Sequence, residues 1–315
     1  MSQTRKIRWL IAHEPVNLFL RTAQAFSAKL AELTNGKFDV EIYTASEYRE
    51  EFNTTADPMV LMEAGSLEMS QLHITELAKW HSPEFFALEL PFLFRDHDHA
   101  QRVLEGTIGK LMLSGLKETS PAEGLAFTYS GGFRCVISED KIEKLEDLKG
   151  INFATATNPV TIDTVEAFGA IPNAFTIADF AKNVNDEGSE SQAFETTIPR
   201  YLAQFKDTSK KNMTNTKHSL FLTAIIISNE FWSSLDQATK DQFNEACLHA
   251  SRLERKWSVE DAEAFAAKQD HSDIGITYSE FSPEETAKFK ELVQPIYDKY
   301  TEFFYPGLVD GIIKS

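Results

Sequence analysis

Three segments within residues 83–159 decide the fold: PEFFALELPFLFRDHDHA (83–100), GLAFTYSGGFRCVIS (124–138) and KIEKLEDLKGINFATATNP (141–159). In the first, an apolar run closes on Pro91-Phe92-Leu93-Phe94 and an acidic helix start follows. In the second, a strand is expected to break at Gly131-Gly132, and a further strand then carries Arg134. In the third, Asp147-Leu148-Lys149-Gly150 opens another strand.

The flanking sequence reads as α/β. Lys6 to Ala12 has the composition of a buried strand, and Asn17 to Leu33 places Phe19, Ala23, Phe26, Leu30 and Leu33 at helical spacing. Asn35-Gly36 ends that helix, and Phe38 to Tyr43 alternates as a strand. Pro58–Ala64 is a short helix and Leu67–Leu72 a third strand, so the order predicts a parallel sheet with helices on its faces. A second α/β set begins near Gly131, with a helix over Val160–Phe168 and a strand over His218–Ser228. Residues 182–195 are polar and carry no clear period. Ala238–Gln269 runs 32 residues without Pro or Gly and predicts one long helix bridging two lobes. Gly275–Phe281 reads as a strand, and Ser282-Pro283 as an N-cap followed by Pro at the first helical position.

At 315 residues the chain is long for one core and comfortable for two. No apolar run approaches the roughly 20 residues that span a bilayer. The N-terminus has no apolar core of leader length, so either the protein is cytoplasmic or Met1 stands where a leader was removed. A net charge of −17 disfavours nucleic acid and anionic membranes, which reward a positive surface. Cys135 and Cys247 lack metal-type spacing and read as small buried apolar residues.

Candidate site residues follow from position and chemistry. His13-Glu14 closes the first strand and His73 the third, and ligands of open α/β sheets bind at the carboxyl ends of strands. Arg134 stands in a strand otherwise made of Phe, Cys, Val and Ile, and a buried guanidinium needs a partner or a ligand. His218 opens a later strand as a weaker candidate, against a packed core histidine. The run Asp96-His97-Asp98-His99 points its two rings to different sides of a helix, which disfavours a metal site. Nucleophile elbows, phosphate loops and H-E-x-x-H are absent, so no catalytic residues, metal or cofactor are expected.

The order of Gly65-Ser66-Leu67-Glu68, Leu90-Pro91-Phe92-Leu93-Phe94, Leu148-Lys149-Gly150, Phe168-Gly169-Ala170-Ile171-Pro172 and Ile227-Ser228-Asn229 resembles the DctP family. These are the solute-binding proteins of tripartite ATP-independent periplasmic (TRAP) transporters. Ala12-His13-Glu14 and Thr157-Asn158-Pro159 are most similar to the ectoine-binding branch. The resemblance implies an α/β, two-lobed periplasmic-binding-protein-like fold with a long helix spanning both lobes. It implies one lobe from residues 1–130 and 220–259 and another from 131–219 and 260–315. The implied function is capture of a small organic solute in a cleft between the lobes by a periplasmic monomer. Delivery would be to the membrane subunits of a TRAP transporter, or alternatively presentation to a sensor.

The candidate ligand-binding residues are His13, Glu14, His73, Arg134, Asn158, Glu195 and Phe221, and the resemblance implies that Glu14 faces the cationic part of the ligand. Two departures stand out. Ala154 falls where the family carries a carboxylate-clamping arginine, and of a later Asp-Gly-x-Glu-Asn-Pro only Glu195 remains. A simple monocarboxylate is therefore a poor expected ligand.

Overall fold

A computed structural model describes residues 4–13, 15–55, 57–186, 188–268 and 270–315. Its strands are β1 (Arg5–Ile11), β2 (Phe38–Thr44), β3 (Met69–His73), β4 (Ala122–Ser138), β5 (Asn152–Ala156), β6 (Ile171–Phe175), β7 (Ala193–Thr197), β8 (Asn212–Asn215), β9 (Leu220–Ser228) and β10 (Thr277–Glu280). The chain forms two compact units. One comprises Met1–Pro83, Ala100–Ser130 and Leu222–Ser258, the other Glu84–His99, Gly131–Phe221 and Val259–Ser315.

In the first unit the strand order is β2-β1-β3-β9-β4. β1 pairs parallel with β2 and β3, as strand–helix alternation requires, while β9 returns antiparallel to β3. The helix Val16–Thr34 buries Phe19, Ala23, Phe26 and Leu30 and ends where Asn35 takes a left-handed φ of 52°. Those side chains meet Trp9, Ile225, Phe243 and Ala250 in one core. Each fully buried aromatic or aliphatic side chain contributes roughly 1.5–3 kcal/mol.

In the second unit β7 lies between β4, antiparallel, and β5, parallel; β6 continues beyond β5. β8 pairs with β4 and β10. Cys135, Ile137, Phe180, Phe194, Tyr201 and Phe205 form its core. The stretch 182–195 resolves into the end of a helix, Ile177–Asn185, and the start of β7. All five residues of β7 are buried, so its Glu and Thr residues produce no in–out alternation to read.

The expected break at Gly131-Gly132 does not occur, and β4 is one strand of 17 residues. Its residues through Ser130 belong to the first unit and those from Gly131 to the second. Both glycines adopt positive φ, 94° and 92°, which redirects the backbone without ending the pairing. The next residues are captured at once, with the Arg134 N–H on the Ser219 carbonyl at 2.8 Å and Arg134 in register with Thr197.

Residues 84–99, expected with the first lobe, group with the second unit. The Phe92 N–H bonds the His218 carbonyl at 2.6 Å, the Tyr297 hydroxyl bonds the Pro91 carbonyl, and His99 Nε2 bonds the Ile312 carbonyl. The long helix is unbroken from Gln237 to Ala267, with residues through Ser258 in the first unit and the rest in the second.

Candidate functional site

Each unit holds a buried polar cluster. In the second, β4 delivers Arg134 and β7 delivers Glu195, both at most 4% exposed. Arg134 Nη1 lies 3.4 Å from Glu195 Oε1, and Nη2 lies 3.6 Å from Glu89 Oε2. The guanidinium carbon sits 3.7 Å from the centroid of the Phe221 ring, a cation–π stack. Arg200 approaches the same ring at 5.1 Å. Arg134 Nε–H has no hydrogen-bond acceptor among the described residues.

Glu195 collects the remaining contacts. Its Oε2 lies 2.7 Å from His218 Nε2, and the Thr155 hydroxyl donates to its Oε1 at 3.3 Å. Burial pushes its carboxyl up, but the Arg134 charge, His218 and Thr155 outweigh burial and hold it at about 2. An ionised carboxylate can only accept, so His218 Nε2 carries the proton. Nδ1 of that ring then faces the Thr216 hydroxyl at 2.6 Å.

Strand faces explain this set. Val136 is opposite Glu195 and Arg134 opposite Thr197, so Arg134 and Glu195 share a face. Ala154 is opposite Phe194, which is opposite Ile137, and all three lie in the apolar core. Ala154 therefore points away from Glu195, and the neighbouring Thr155 supplies the β5 side chain on the Glu195 face.

In the first unit, the His13 and His73 rings meet edge to face at a centroid distance of 4.6 Å. His13 follows β1 and His73 ends β3, and the two strands pair in parallel, so their carboxyl ends lie side by side. Two residues before His73, the Gln71 amide donates to Thr128 Oγ1 at 2.7 Å and Thr223 Oγ1 at 3.1 Å. Nearby, Glu254 of the long helix accepts the Tyr129 N–H at 2.6 Å and the Ser258 hydroxyl at 3.2 Å. Burial dominates there, and its carboxyl is pushed up to about 8.

The residues singled out in the sequence thus fall into groups. Arg134, Glu195 and Phe221 come together in one unit, and His13 and His73 in the other. Glu14 lies outside the described residues. Asn158 Oδ1 accepts from the Val160 and Thr161 N–H groups as the N-cap of the helix Pro159–Ala167, a structural use of that oxygen. In the run 96–99, His97 packs on Phe133 at 4.9 Å, while His99 Nδ1 accepts the Arg95 N–H. Cys135 and Cys247 are buried free thiols.

Glu89, Thr155, Arg200 and Gln71 were not singled out. Glu89 had a legible signal, being the lone charge in the apolar run Phe85–Phe94. The others depended on which strands pair.

Known proteins share the family and the fold of this chain. The C4-dicarboxylate-binding periplasmic protein DctP of Rhodobacter capsulatus is 24% identical over 285 residues, covering 88% of this chain and 81% of the relative. The sialic acid-binding periplasmic protein SiaP of Vibrio cholerae is 21% identical over 282 residues, covering 89% and 83%. A TRAP periplasmic solute-binding protein from a Polaromonas species, bound to D-erythronate, superposes with a TM-score of 0.83 at 24% identity over 98% of both chains. Another from Shewanella oneidensis, with bound succinate, gives 0.83 at 17% identity over 99% of both. The model of family 7 of the bacterial extracellular solute-binding proteins, DctP, matches residues 12–302, and the chain belongs to that family.

Proposed function

We propose that this chain is a periplasmic, monomeric TRAP solute-binding protein whose solute is a small neutral or zwitterionic molecule of the ectoine kind, delivered to the membrane subunits of its transporter. One observation carries the choice of solute. Arg134 is already balanced by Glu195 and Glu89, both within 3.6 Å of it, and is stacked on Phe221. A site with two carboxylates around one guanidinium offers little net attraction to a simple monocarboxylate. Such a ligand would lose hydration without gaining a full ion pair. The Nε–H of Arg134 is a donor that can take one carbonyl or carboxylate oxygen of a zwitterion. The residues proposed to touch solute are Arg134, Phe221, His13, Glu14 and His73. Glu195 acts by holding Arg134, and Asn158 by fixing its helix.

The test is a thermal-shift screen with ectoine, succinate, D-erythronate and acetate, because a ligand of the folded state alone raises the melting temperature. Ectoine or a comparable zwitterion should stabilise the protein most. Strong stabilisation by acetate, with none by zwitterions, rejects the proposed solute class. Turnover of a stabilising solute, detected by mass spectrometry, rejects the binding function itself.

A further inference from the structure

The first unit also carries a groove on the far side of β3 from its polar cluster. Leu72 lies between Gln71 and His73 along the strand, so its side chain leaves on the opposite face. There it joins Met59, Leu77 and Pro121 as the apolar floor of a groove of about 440 Å³. Val60 stands at the rim, 55% exposed, although its helical neighbours Met59 and Leu61 are buried. Asp57, Glu63 and Glu76 also line the groove. Glu76 is paired with Lys79 at 3.5 Å. Asp57 accepts the Met59 N–H as a helix cap, and among the described residues neither Asp57 nor Glu63 has an ion-pair partner.

We propose that this groove docks a basic, apolar-tipped segment of a protein partner. A leucine- or phenylalanine-sized side chain enters the floor, and flanking Lys or Arg residues face Asp57 and Glu63. Burial of the floor and of Val60 supplies the apolar driving force. The two unmatched carboxylates select the sign of the partner, and the net charge of −17 favours approach of a cationic segment. The proposal is independent of which solute the protein carries, because none of these residues belongs to the two polar clusters.

The test uses the full chain, isotope-labelled for amide NMR, titrated with the peptide acetyl-Lys-Leu-Phe-Arg-amide and with acetyl-Glu-Leu-Phe-Glu-amide as the control. The basic peptide should give saturable shifts at the amides of Val60 and Leu77, and the acidic one should give none. In the double variant Asp57→Asn with Glu63→Gln, affinity should fall roughly three- to tenfold, the loss expected for two exposed charge pairs. Asn preserves the cap, so an unchanged melting temperature will certify the fold of the variant. Absence of saturable shifts, equal binding of the acidic peptide, or unchanged affinity in the folded double variant each overturns the proposal.

Discussion

Arg134 and Glu195 hold each other inside the second unit, 3.4 Å apart on adjacent antiparallel strands and each at most 4% exposed. The pairing, with the stack on Phe221, gives Arg134 a fixed position within the unit. It also makes the residue part of the fold, so its removal acts on stability.

Arg134→Ala should therefore lower the unfolding free energy by about 3–5 kcal/mol, because it strands the buried Glu195 and Glu89 carboxylates. Urea unfolding measures this directly. Arg134→Ala combined with Glu195→Gln should cost much less than the sum of the single changes. Additive costs would show that the two residues are not coupled.

Glu195 and Glu254 should bend the pH–stability curve in opposite senses. Glu195 is lowered from an ordinary 4.5 to about 2, so its contribution is complete above 4.5 and is lost as pH falls towards 2. Glu254 is raised from 4.5 to about 8, so the folded state keeps a proton that the unfolded state gives up. Its effect is a loss of stability as pH climbs from 4.5 to 8, on the order of a few kcal/mol. Denaturant midpoints across this range should show that Glu254→Gln flattens the decline between pH 5 and pH 8 by roughly that amount. An unaltered slope in the variant contradicts a protonated Glu254.

Gly131→Ala should destabilise the protein by more than about 1 kcal/mol, since the position has positive φ and an added Cβ meets Thr197. That Cβ would stand 2.3 Å from Thr197 Oγ1. Gly150→Ala is the comparison, with φ of 78° and nothing within 4 Å of the added atom. The difference between the two melting temperatures isolates the steric part, and equal losses would remove it.

Ala154→Arg should unfold or strongly destabilise the second unit without altering solute preference. The new guanidinium would enter the core beside Phe180 and Phe194, and an unpaired buried charge is costly. Thr155→Arg instead places the cation on the Glu195 face and should shift the thermal-shift ranking towards monocarboxylates. A folded Ala154→Arg protein with a new taste for acetate would contradict the strand faces described above.

The sequence by itself determined which segments are strands and helices wherever one face is solvated and the other buried. The helix Val16–Thr34 shows its apolar stripe, Ser282 caps its helix through the Glu285 N–H, and the long helix is written in 32 residues without a breaker. It also determined that Arg134 needs a partner, since a lone guanidinium in an apolar strand has no other stable outcome. Only the tertiary structure decided what that partner is. Glu195 lies 61 residues away on a strand buried on both faces, and Glu89 reaches Arg134 from before β4. The same holds for Ala154 and Thr155. Adjacent residues on a strand project to opposite faces, and which of them looks at Glu195 is set by the register of β5 on β7, a long-range pairing that no local period records.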